Sequence, residues 1–430
     1  MSAASQLWVA VTGGVTTIVL ARVLGPHNWG GYAIAVSLVV LLTMLSGLGV
    51  NQGILYYVSA RKWAPRAAFG SALRMAAGTG TLGALAGIVA RVLFPSAFAG
   101  LPLWLTAVAV VSVPFSLAFA SATFVALATD RYEVAMARPA VQAGLLLAVS
   151  VPAALLWGRT GAVFALTLTA VITGVGAIAW ALRRLPDGGA TPPGQLRRAI
   201  SFGIKGYSAN ALQLVNYQLD LFILAAVTSA AAVGHYALAV SATNLLLLLP
   251  KSLSTVVSPR VARLSAGGDE ATREMVETKS LRHVSLLVGL GAVVLALALE
   301  FLVVPVFGED YRPAINLGLI LLPGAAAIGL STVLAATVVG RGKPEYSLYG
   351  ALITTPLTIV MYVTMIPWLH ATGAALASTL SYVGTFLLFC FFYRRLTSRN
   401  VFHRLIPTRA ELADFGALTR SAVARIKGRG

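Results

Sequence analysis

Four polar side chains recur at helical spacing inside a long apolar segment near the middle of the chain. They are Asn210, Gln213, Tyr217 and Asp220, separated by three, four and three residues, which places them on one face of a helix. A polar face is too costly to leave against lipid, so it must face protein or water. Two interpretations remain open: hydrogen bonding to a neighbouring helix, or the wall of a water-filled cavity.

The carboxylate on this face, Asp220, could bind and release a proton or a sodium ion. Acidic residues within the apolar segments are Asp220 and Glu300, and Glu300 lies near the end of its segment. Ionisable side chains inside a membrane are costly and mark ion or substrate pathways. We therefore predict that Asp220 couples an ion to a conformational change, with a fixed interhelical hydrogen bond as the alternative.

Three basic residues within apolar segments could bind an anionic group. Lys251 directly follows Pro250, which can bend its helix, while Arg74 and Lys205 lie in the third and seventh segments. A long basic side chain could instead extend its charge to the membrane surface. Lys251 is the strongest of the three for supplying positive charge to a cavity.

Further polar residues could extend the cavity wall. Asn51 and Gln52 lie in the inner half of the second apolar segment. Gln6 lies 204 residues before Asn210, at the equivalent position of an internal repeat described below. These residues are predicted to line the substrate path.

The usual catalytic and metal-binding motifs do not occur in this sequence. It has no P-loop, no HExxH and no His/Cys cluster, and its five histidines are scattered. The one cysteine, Cys390, excludes an intrachain disulfide and a Cys-based metal site. We predict no enzymatic activity, no cofactor and no metal site.

These residues must be positioned by helices that cross a membrane. Hydrophobic residues make up 58% and charged residues 11% of the 430 residues, and the mean hydropathy is +0.83. A soluble core cannot bury so large an apolar fraction, so the protein is predicted to be an all-α polytopic membrane protein. Crossing a bilayer takes ~20 residues of helix. The twelve predicted spans fall near residues 4–24, 32–60, 68–94, 102–128, 134–157, 161–183, 201–227, 233–258, 281–304, 313–339, 346–368 and 372–394.

The chain contains an internal repeat with a constant offset of 204 residues. Residues 222–249 match residues 18–45 at 12 of 28 positions, including YAIAVS from Tyr32 and YALAVS from Tyr236. The prediction is two homologous six-helix lobes, 1–190 and 201–395, related by a pseudo-twofold axis along the membrane normal. Residues 191–200 form a cytoplasmic linker, and a polar stretch at 267–279 is expected to form a short separate helix.

The basic residues predict the orientation in the membrane. Of the 32 Lys and Arg, all but seven fall in loops that would be cytoplasmic with the N-terminus inside, or in the tail at 396–430. Such a bias follows the positive-inside rule, so the net charge of +18 does not require a nucleic acid partner. Both termini are predicted to be cytoplasmic. The basic tail, with an amphipathic helix beginning near Thr408, is predicted to contact membrane lipids.

The sequence resembles the polysaccharide-lipid flippases, Wzx-type transporters within the multidrug/oligosaccharidyl-lipid/polysaccharide exporter superfamily. The motifs that carry the resemblance are LARVLGPHNWGGYA (20–33), GLGVNQGILYYVSAR (47–61), VGHYALAVSATNLLLLLPKSLSTVVSPRVARL (233–264), VFGEDYRPA (306–314), LLPG (321–324) and TGAALASTLSY (372–382). The resemblance covers most of residues 5–395. It implies alternating access and export of an undecaprenyl-pyrophosphate-linked oligosaccharide, for O-antigen, lipopolysaccharide or exopolysaccharide, across the bacterial cytoplasmic (inner) membrane.

The resemblance also implies a cationic cavity, for which Lys251, and then Arg74 and Lys205, are available, and partners among polysaccharide polymerase or assembly proteins. Two alternatives remain open: a multidrug/cation antiporter of the same superfamily, and a membrane glycosyltransferase or polysaccharide polymerase. The antiporter usually has an acidic cavity, and the enzymes usually have long outer loops or an acidic motif. The chain lacks the two further spans of the lipid II flippases, which counts against a peptidoglycan precursor as substrate.

Overall fold

The computed structural model describes residues 3–186 and 194–405, and within these ranges the regular structure is helical, with no strand. The predicted tail helix from Thr408 lies outside the described residues, as do residues 187–193 around the predicted linker. The helices are α1 (Ala3–Gly47), α2 (Val50–Ser59), α3 (Pro65–Leu93), α4 (Leu103–Val110), α5 (Ser112–Ala128), α6 (Tyr132–Arg184), α7 (Gln195–Val227), α8 (Ala230–Thr243), α9 (Leu248–Ala266), α10 (Glu270–Phe307), α11 (Pro313–Gly340), α12 (Glu345–Thr397) and α13 (Phe402–Leu405).

Eight helical stretches of the described chain are long and apolar enough to cross a membrane. Three of them, in α1, α6 and α12, are 43 to 53 residues long, about twice the ~20 residues that one crossing needs. Each contains non-helical backbone where the chain turns back: Gly25 in α1, Trp157 and Gly158 in α6, and His370 in α12. The polytopic all-α architecture is confirmed, while the exact number of twelve spans stays a prediction.

Three predicted spans are interrupted, which corrects the expectation of continuous helices at 32–60, 102–128 and 233–258. The first breaks where Leu48 and Gly49 have φ of 45° and 72°, a conformation that glycine adopts readily. The second is divided at Val111, between α4 and α5. The third contains a 3-10 helix at Asn244–Leu247. Pro250 accounts for this break, because its ring removes a donor and clashes with the carbonyl four residues earlier, at Leu246.

The expectation of a separate polar helix at 267–279 is wrong. α10 begins at Glu270 and continues without interruption to Phe307. The start of the helix is set by Asp269, whose carboxylate accepts a hydrogen bond from the Thr272 backbone N–H at 3.0 Å. Asp at this position satisfies a helix N–H that otherwise lacks a partner. The polar residues are therefore the first turns of a helix that is long and apolar enough to cross a membrane.

The chain divides into two compact units. The first comprises residues 1–238, 302–317 and 358–374, and its core includes Ile54, Phe69 and Val125. The second comprises residues 239–301, 318–357 and 375–430, with a core that includes Leu281 and Leu334. These units are defined by how densely their residues pack, whereas the lobes at 1–190 and 201–395 were predicted from the sequence repeat. The two lobes therefore stay a prediction.

The second unit holds a buried charged cluster where four helices meet. Glu277 on α10 is fully buried, and Arg341 donates to both of its carboxylate oxygens, at 2.8 and 2.7 Å. The Tyr393 hydroxyl on α12 donates to the same carboxylate at 2.7 Å, and Arg404 on α13 donates to that hydroxyl at 2.9 Å. Arg404 also pairs with Glu274. The cluster therefore ties the end of α11 and α13 to α10 and α12.

Candidate functional site

The predicted polar face of α7 runs from an open region into a packed one. Asn210 and Gln213 are exposed, Tyr217 is half-buried and Asp220 is 2% exposed. The Gln213 amide donates to the Tyr217 hydroxyl at 2.8 Å, so neighbouring members of the face interact along the helix. Interhelical hydrogen bonding therefore occurs at the Asp220 end of this face, and the water-filled cavity at the other end stays a prediction.

Asp220 lies in a buried polar site formed by α7 and α8. The Tyr236 hydroxyl of α8 donates to one Asp220 carboxylate oxygen at 2.6 Å, and the Leu221 backbone N–H donates to the other at 2.8 Å. Tyr236 is fully buried. Hydrogen bonds to an ionised carboxylate are short and strong. The site can thus hold a carboxylate in one position and exclude bulk water from it.

A third helix closes the same site. Tyr362 of α12, also fully buried, donates its hydroxyl to the backbone carbonyl of Asn216 at 3.3 Å. Asn216 is buried one turn before Asp220 on α7. Tyr236 of α8 and Tyr362 of α12 therefore donate to α7 within one turn of each other.

The equivalent position in the first half of the repeat lacks a carboxylate. Thr16 corresponds to Asp220 and Tyr32 to Tyr236 at the offset of 204. The Thr16 hydroxyl donates to the Thr12 carbonyl of its own helix at 2.7 Å. The ionisable group is therefore a property of the second half, and the first half supplies a natural comparison for experiments.

Other predicted cavity residues of the first half lie at several places. Asn51 accepts a hydrogen bond from Ser121 of α5 at 2.9 Å, so its side chain joins two helices. Gln52 and Gln6 are half-buried. Arg74 is exposed on α3 and donates to the Ser71 hydroxyl at 3.3 Å.

Lys251 lies in the first turn of α9, directly after the 3-10 segment, and its side chain is exposed. It belongs to the second compact unit, whereas Asp220 belongs to the first. The side chain of Lys205 lies outside the described residues. The roles of these two basic residues in binding an anion stay predictions.

The structure adds two residues that the sequence reasoning missed. Tyr236 stands in the repeated YALAVS motif and Tyr362 in the eleventh predicted span, but neither was predicted to reach α7. The available signal for Tyr236 was the repeat: its equivalent in the first half is Tyr32, whereas the equivalent of Asp220 is Thr16. Tyr362 had no such signal, since its partner is a backbone carbonyl.

Comparisons with known proteins give one family match and several likenesses in fold. A family model described as "Polysaccharide biosynthesis protein" matches residues 19–316, and no curated protein matches the chain. The structure resembles the lipid II flippase MurJ in an inward closed conformation, with TM-score 0.74 and 13% identity over 90% of this chain and 86% of that one.

It also resembles multidrug resistance MATE family transporters of the MOP superfamily. An inward-facing one gives TM-score 0.68 and 16% identity, covering 93% of this chain and 98% of that one. An outward-facing one gives TM-score 0.65 and 14% identity over 92% and 95%. At these identities the likeness concerns the fold.

Proposed function

Because the chain belongs to the family of polysaccharide biosynthesis proteins, whose model matches residues 19–316, we propose that it flips a lipid-linked oligosaccharide across the cytoplasmic membrane. The carrier is undecaprenyl pyrophosphate, and the termini are cytoplasmic. The observation that carries the proposal is the α7 face, where exposed Asn210 and Gln213 lead to the buried Asp220. A polar path through a multi-pass membrane protein suits a substrate with a sugar headgroup.

The direct test is transport by the purified protein in proteoliposomes. A fluorescent undecaprenyl-pyrophosphate oligosaccharide is added, and its appearance in the opposite leaflet is followed by quenching with an impermeant reductant. We expect flipping above that of protein-free liposomes, with an undecaprenol lacking pyrophosphate and sugar as control. Equal rates with and without the protein, under each imposed ion gradient, would contradict the proposal.

A second function is favoured by one observation, the likeness to MATE family transporters. In that case the protein would export a small cationic molecule in exchange for an ion bound at Asp220. Uptake of a fluorescent cationic dye into inside-out vesicles separates the two functions. Dye accumulation without oligosaccharide flipping would favour the antiporter.

The Lys251→Ala variant is expected to impair flipping, because an ammonium group binds a pyrophosphate oxygen through charge-assisted hydrogen bonds. Loss of one such contact reduces the rate by ~10-fold to 100-fold. Lys251→Arg keeps the charge and should retain part of the activity. The measurement is surface polysaccharide in cells together with flipping in proteoliposomes.

The control for this variant is Lys343→Ala, which removes an exposed cation from the turn after α11. It should leave flipping unchanged. Normal surface polysaccharide in the Lys251→Ala strain, at normal protein level, would show that Lys251 is not part of the binding site.

A further inference from the structure

Four aromatic rings cluster where α2 ends and α7 begins. The Tyr56 ring stacks on that of Phe202 in α7, with centroids 4.4 Å apart and an angle of 18° between the planes. The Tyr57 ring stacks on Trp63 at 4.1 Å and meets Tyr56 edge-on at 5.1 Å. We call these four residues the aromatic cluster. Stacked and edge-to-face pairs are the arrangements that aromatic rings prefer, so the four rings support one another.

Glycines let α2 and α7 approach closely enough for the aromatic cluster to form. A Cβ atom added to Gly203 would lie 1.9 Å from the Gly49 carbonyl oxygen, and one added to Gly53 would lie 2.5 Å from that of Ala199. The two helix backbones therefore pack without intervening side chains at these positions. The rings three residues after Gly53 and one residue before Gly203 then reach each other beside the contact.

The turn after α2 brings a cation and the fourth ring back onto the aromatic cluster. The Lys62 and Trp63 backbone N–H groups donate to the Tyr57 carbonyl at 3.0 and 3.3 Å. The Lys62 ammonium lies 5.6 Å from the centroid of the Tyr56 ring, within the range of a cation–π contact. Trp63 is buried in the core of the first unit. The aromatic cluster is therefore fixed to the core at Trp63 and carries a positive charge at Tyr56.

The exposed part of the aromatic cluster lies on the same helix face as the polar residues of α7. Tyr56 is 45% exposed and Phe202 42%. Phe202 precedes Gln213 by 11 residues and Asp220 by 18, which is about three and five turns of an α-helix. Because α7 is one helix over Gln195–Val227, these three side chains share a face. Phe202 lies ~16 Å before Gln213 along the helix axis.

Exposed rings at the start of a polar path suit a saccharide. The C–H groups of a sugar ring carry a small positive charge and pack against the negative face of an aromatic ring. The sugar hydroxyls need hydrogen-bonding partners, which the Tyr56 hydroxyl and the Lys62 ammonium supply. Aromatic residues also anchor helices in the lipid headgroup region. That role would place this face of α7 against lipid, which Gln213 and Asp220 make costly.

We propose that the aromatic cluster is a saccharide-binding subsite at the predicted cytoplasmic end of the α7 polar face. This inference rests on the proposed flippase function and identifies where the sugar headgroup of the substrate binds first. The exposed surfaces of Tyr56 and Phe202 pack against a sugar ring of the lipid-linked oligosaccharide. The Lys62 ammonium binds the hydroxyl or carboxylate oxygens of that sugar.

Photocrosslinking in cells of the source organism tests this subsite with the native substrate. p-Benzoylphenylalanine, whose ketone joins to a nearby C–H group under ultraviolet light, replaces Phe202, Gln213 or Phe391 in three separate variants. Phe391 is the matched control, because its ring is 51% exposed and has the Arg395 guanidinium 5.2 Å from its centroid, but lies on α12. We expect a glycan-bearing adduct, identified by mass spectrometry, in the Phe202 and Gln213 variants and none in the Phe391 variant.

The adducts separate failure of the subsite from failure of the proposed function. A glycan adduct at Gln213 without one at Phe202 would overturn the subsite and leave the flippase in place. A phospholipid adduct alone at Phe202 would make the aromatic cluster a membrane anchor and would also overturn the subsite. No glycan adduct at either position, together with no flipping in proteoliposomes, would refute the substrate and the subsite with it. A glycan adduct at Phe202 without flipping would keep the subsite and refute transport.

The kinetics of flipping in proteoliposomes distinguish binding from packing. Phe202→Leu keeps an apolar side chain but removes the ring. It should raise the half-saturating concentration of the lipid-linked oligosaccharide ~3-fold to 10-fold and leave the maximal rate unchanged. Phe202→Tyr keeps the ring and should match wild type, as should Phe391→Leu.

A Phe202→Leu variant that binds the substrate as well as wild type, or that loses only maximal rate, would overturn the proposal, because Phe202 would then act through packing alone. Tyr56→Leu makes the same change on α2 and decides the question should Phe202→Leu fail to fold. It should raise the half-saturating concentration to the same extent, and an unchanged value would count equally against the subsite.

Discussion

Asp220→Asn is expected to separate transport from the ion gradient that drives it. The substitution keeps the size of the side chain but removes ionisation. The amide oxygen can accept the hydrogen bond from the Leu221 N–H, while the NH2 group donates to the Tyr236 hydroxyl. Coupling free energies are typically ~1–3 kcal/mol, equivalent to about 5- to 150-fold in rate or affinity. We expect a proton or sodium gradient to accelerate wild-type flipping by a factor in this range and to have no effect on the Asn variant.

The measurement is flipping in proteoliposomes with a proton gradient, a sodium gradient or neither. Protein yield and thermal stability of the Asn variant should match wild type, since packing around Asp220 is preserved. A variant that remains fully coupled would leave Asp220 as a structural residue, held by its hydrogen bonds to Tyr236 and Leu221.

The internal repeat provides a matched pair of variants for the same site. Tyr236→Phe removes the 2.6 Å hydrogen bond to Asp220 and should shift the ion concentration at which coupling is half-maximal. Tyr32→Phe makes the same chemical change at the equivalent, similarly buried position, where Thr16 replaces the carboxylate. Equal shifts in both variants would show that Tyr236 acts through packing rather than through Asp220.

Local spacing was sufficient to predict the polar face of α7, because which residues share a helix face depends on sequence separation alone. The hydrogen bonds of this face depend on distant residues. Tyr236 and Tyr362 reach α7 from other helices, and a single sequence carries no record of which helices are neighbours.

The helix breaks were partly visible in the sequence. Pro250 was recognised as a bend, and the 3-10 helix at Asn244–Leu247 lies where its ring acts. Gly49 was not recognised, since many glycines in this chain are helical and only its positive φ and its contact with Gly203 set it apart. Likewise the repeat revealed that Gly30 and Gly234 are equivalent, but not that they touch.

The buried cluster at Glu277 could not be predicted either. Its members lie in α10, α12 and α13 and in the turn after α11, and the sequence shows only a polar stretch before the ninth predicted span. In the structure this stretch supplies Glu277, the buried carboxylate that accepts hydrogen bonds from Arg341. Burial acts most strongly on the pKa of Arg341 and lowers it, but the hydrogen bonds to the Glu277 carboxylate and the charges of the surrounding acidic groups together outweigh burial, and the pKa is raised. The charge of Arg341 is therefore held by its acidic partner.

Arg341→Ala is expected to destabilise the protein by ~3–5 kcal/mol, the usual cost of removing one partner from a buried ion pair. Glu277 is fully buried and the Arg341 side chain is 12% exposed, so water cannot replace the lost bonds. The measurement is the free energy of unfolding of the purified protein in detergent, with the amount of protein in the membrane as a second readout.

The cost should come from the carboxylate left without Arg341, and a second variant tests this cause. Adding Glu277→Gln to Arg341→Ala removes the buried charge, so the double variant should be more stable than Arg341→Ala alone, as a double-mutant cycle would record. Lys343→Ala is the control, because its partner Glu345 lies 3.7 Å away and both side chains are about half exposed; exposed pairs contribute little. If Arg341→Ala cost no more than Lys343→Ala, then Tyr393 and its bond from Arg404 would suffice to hold Glu277, and α11 would be joined to the cluster without stabilising it.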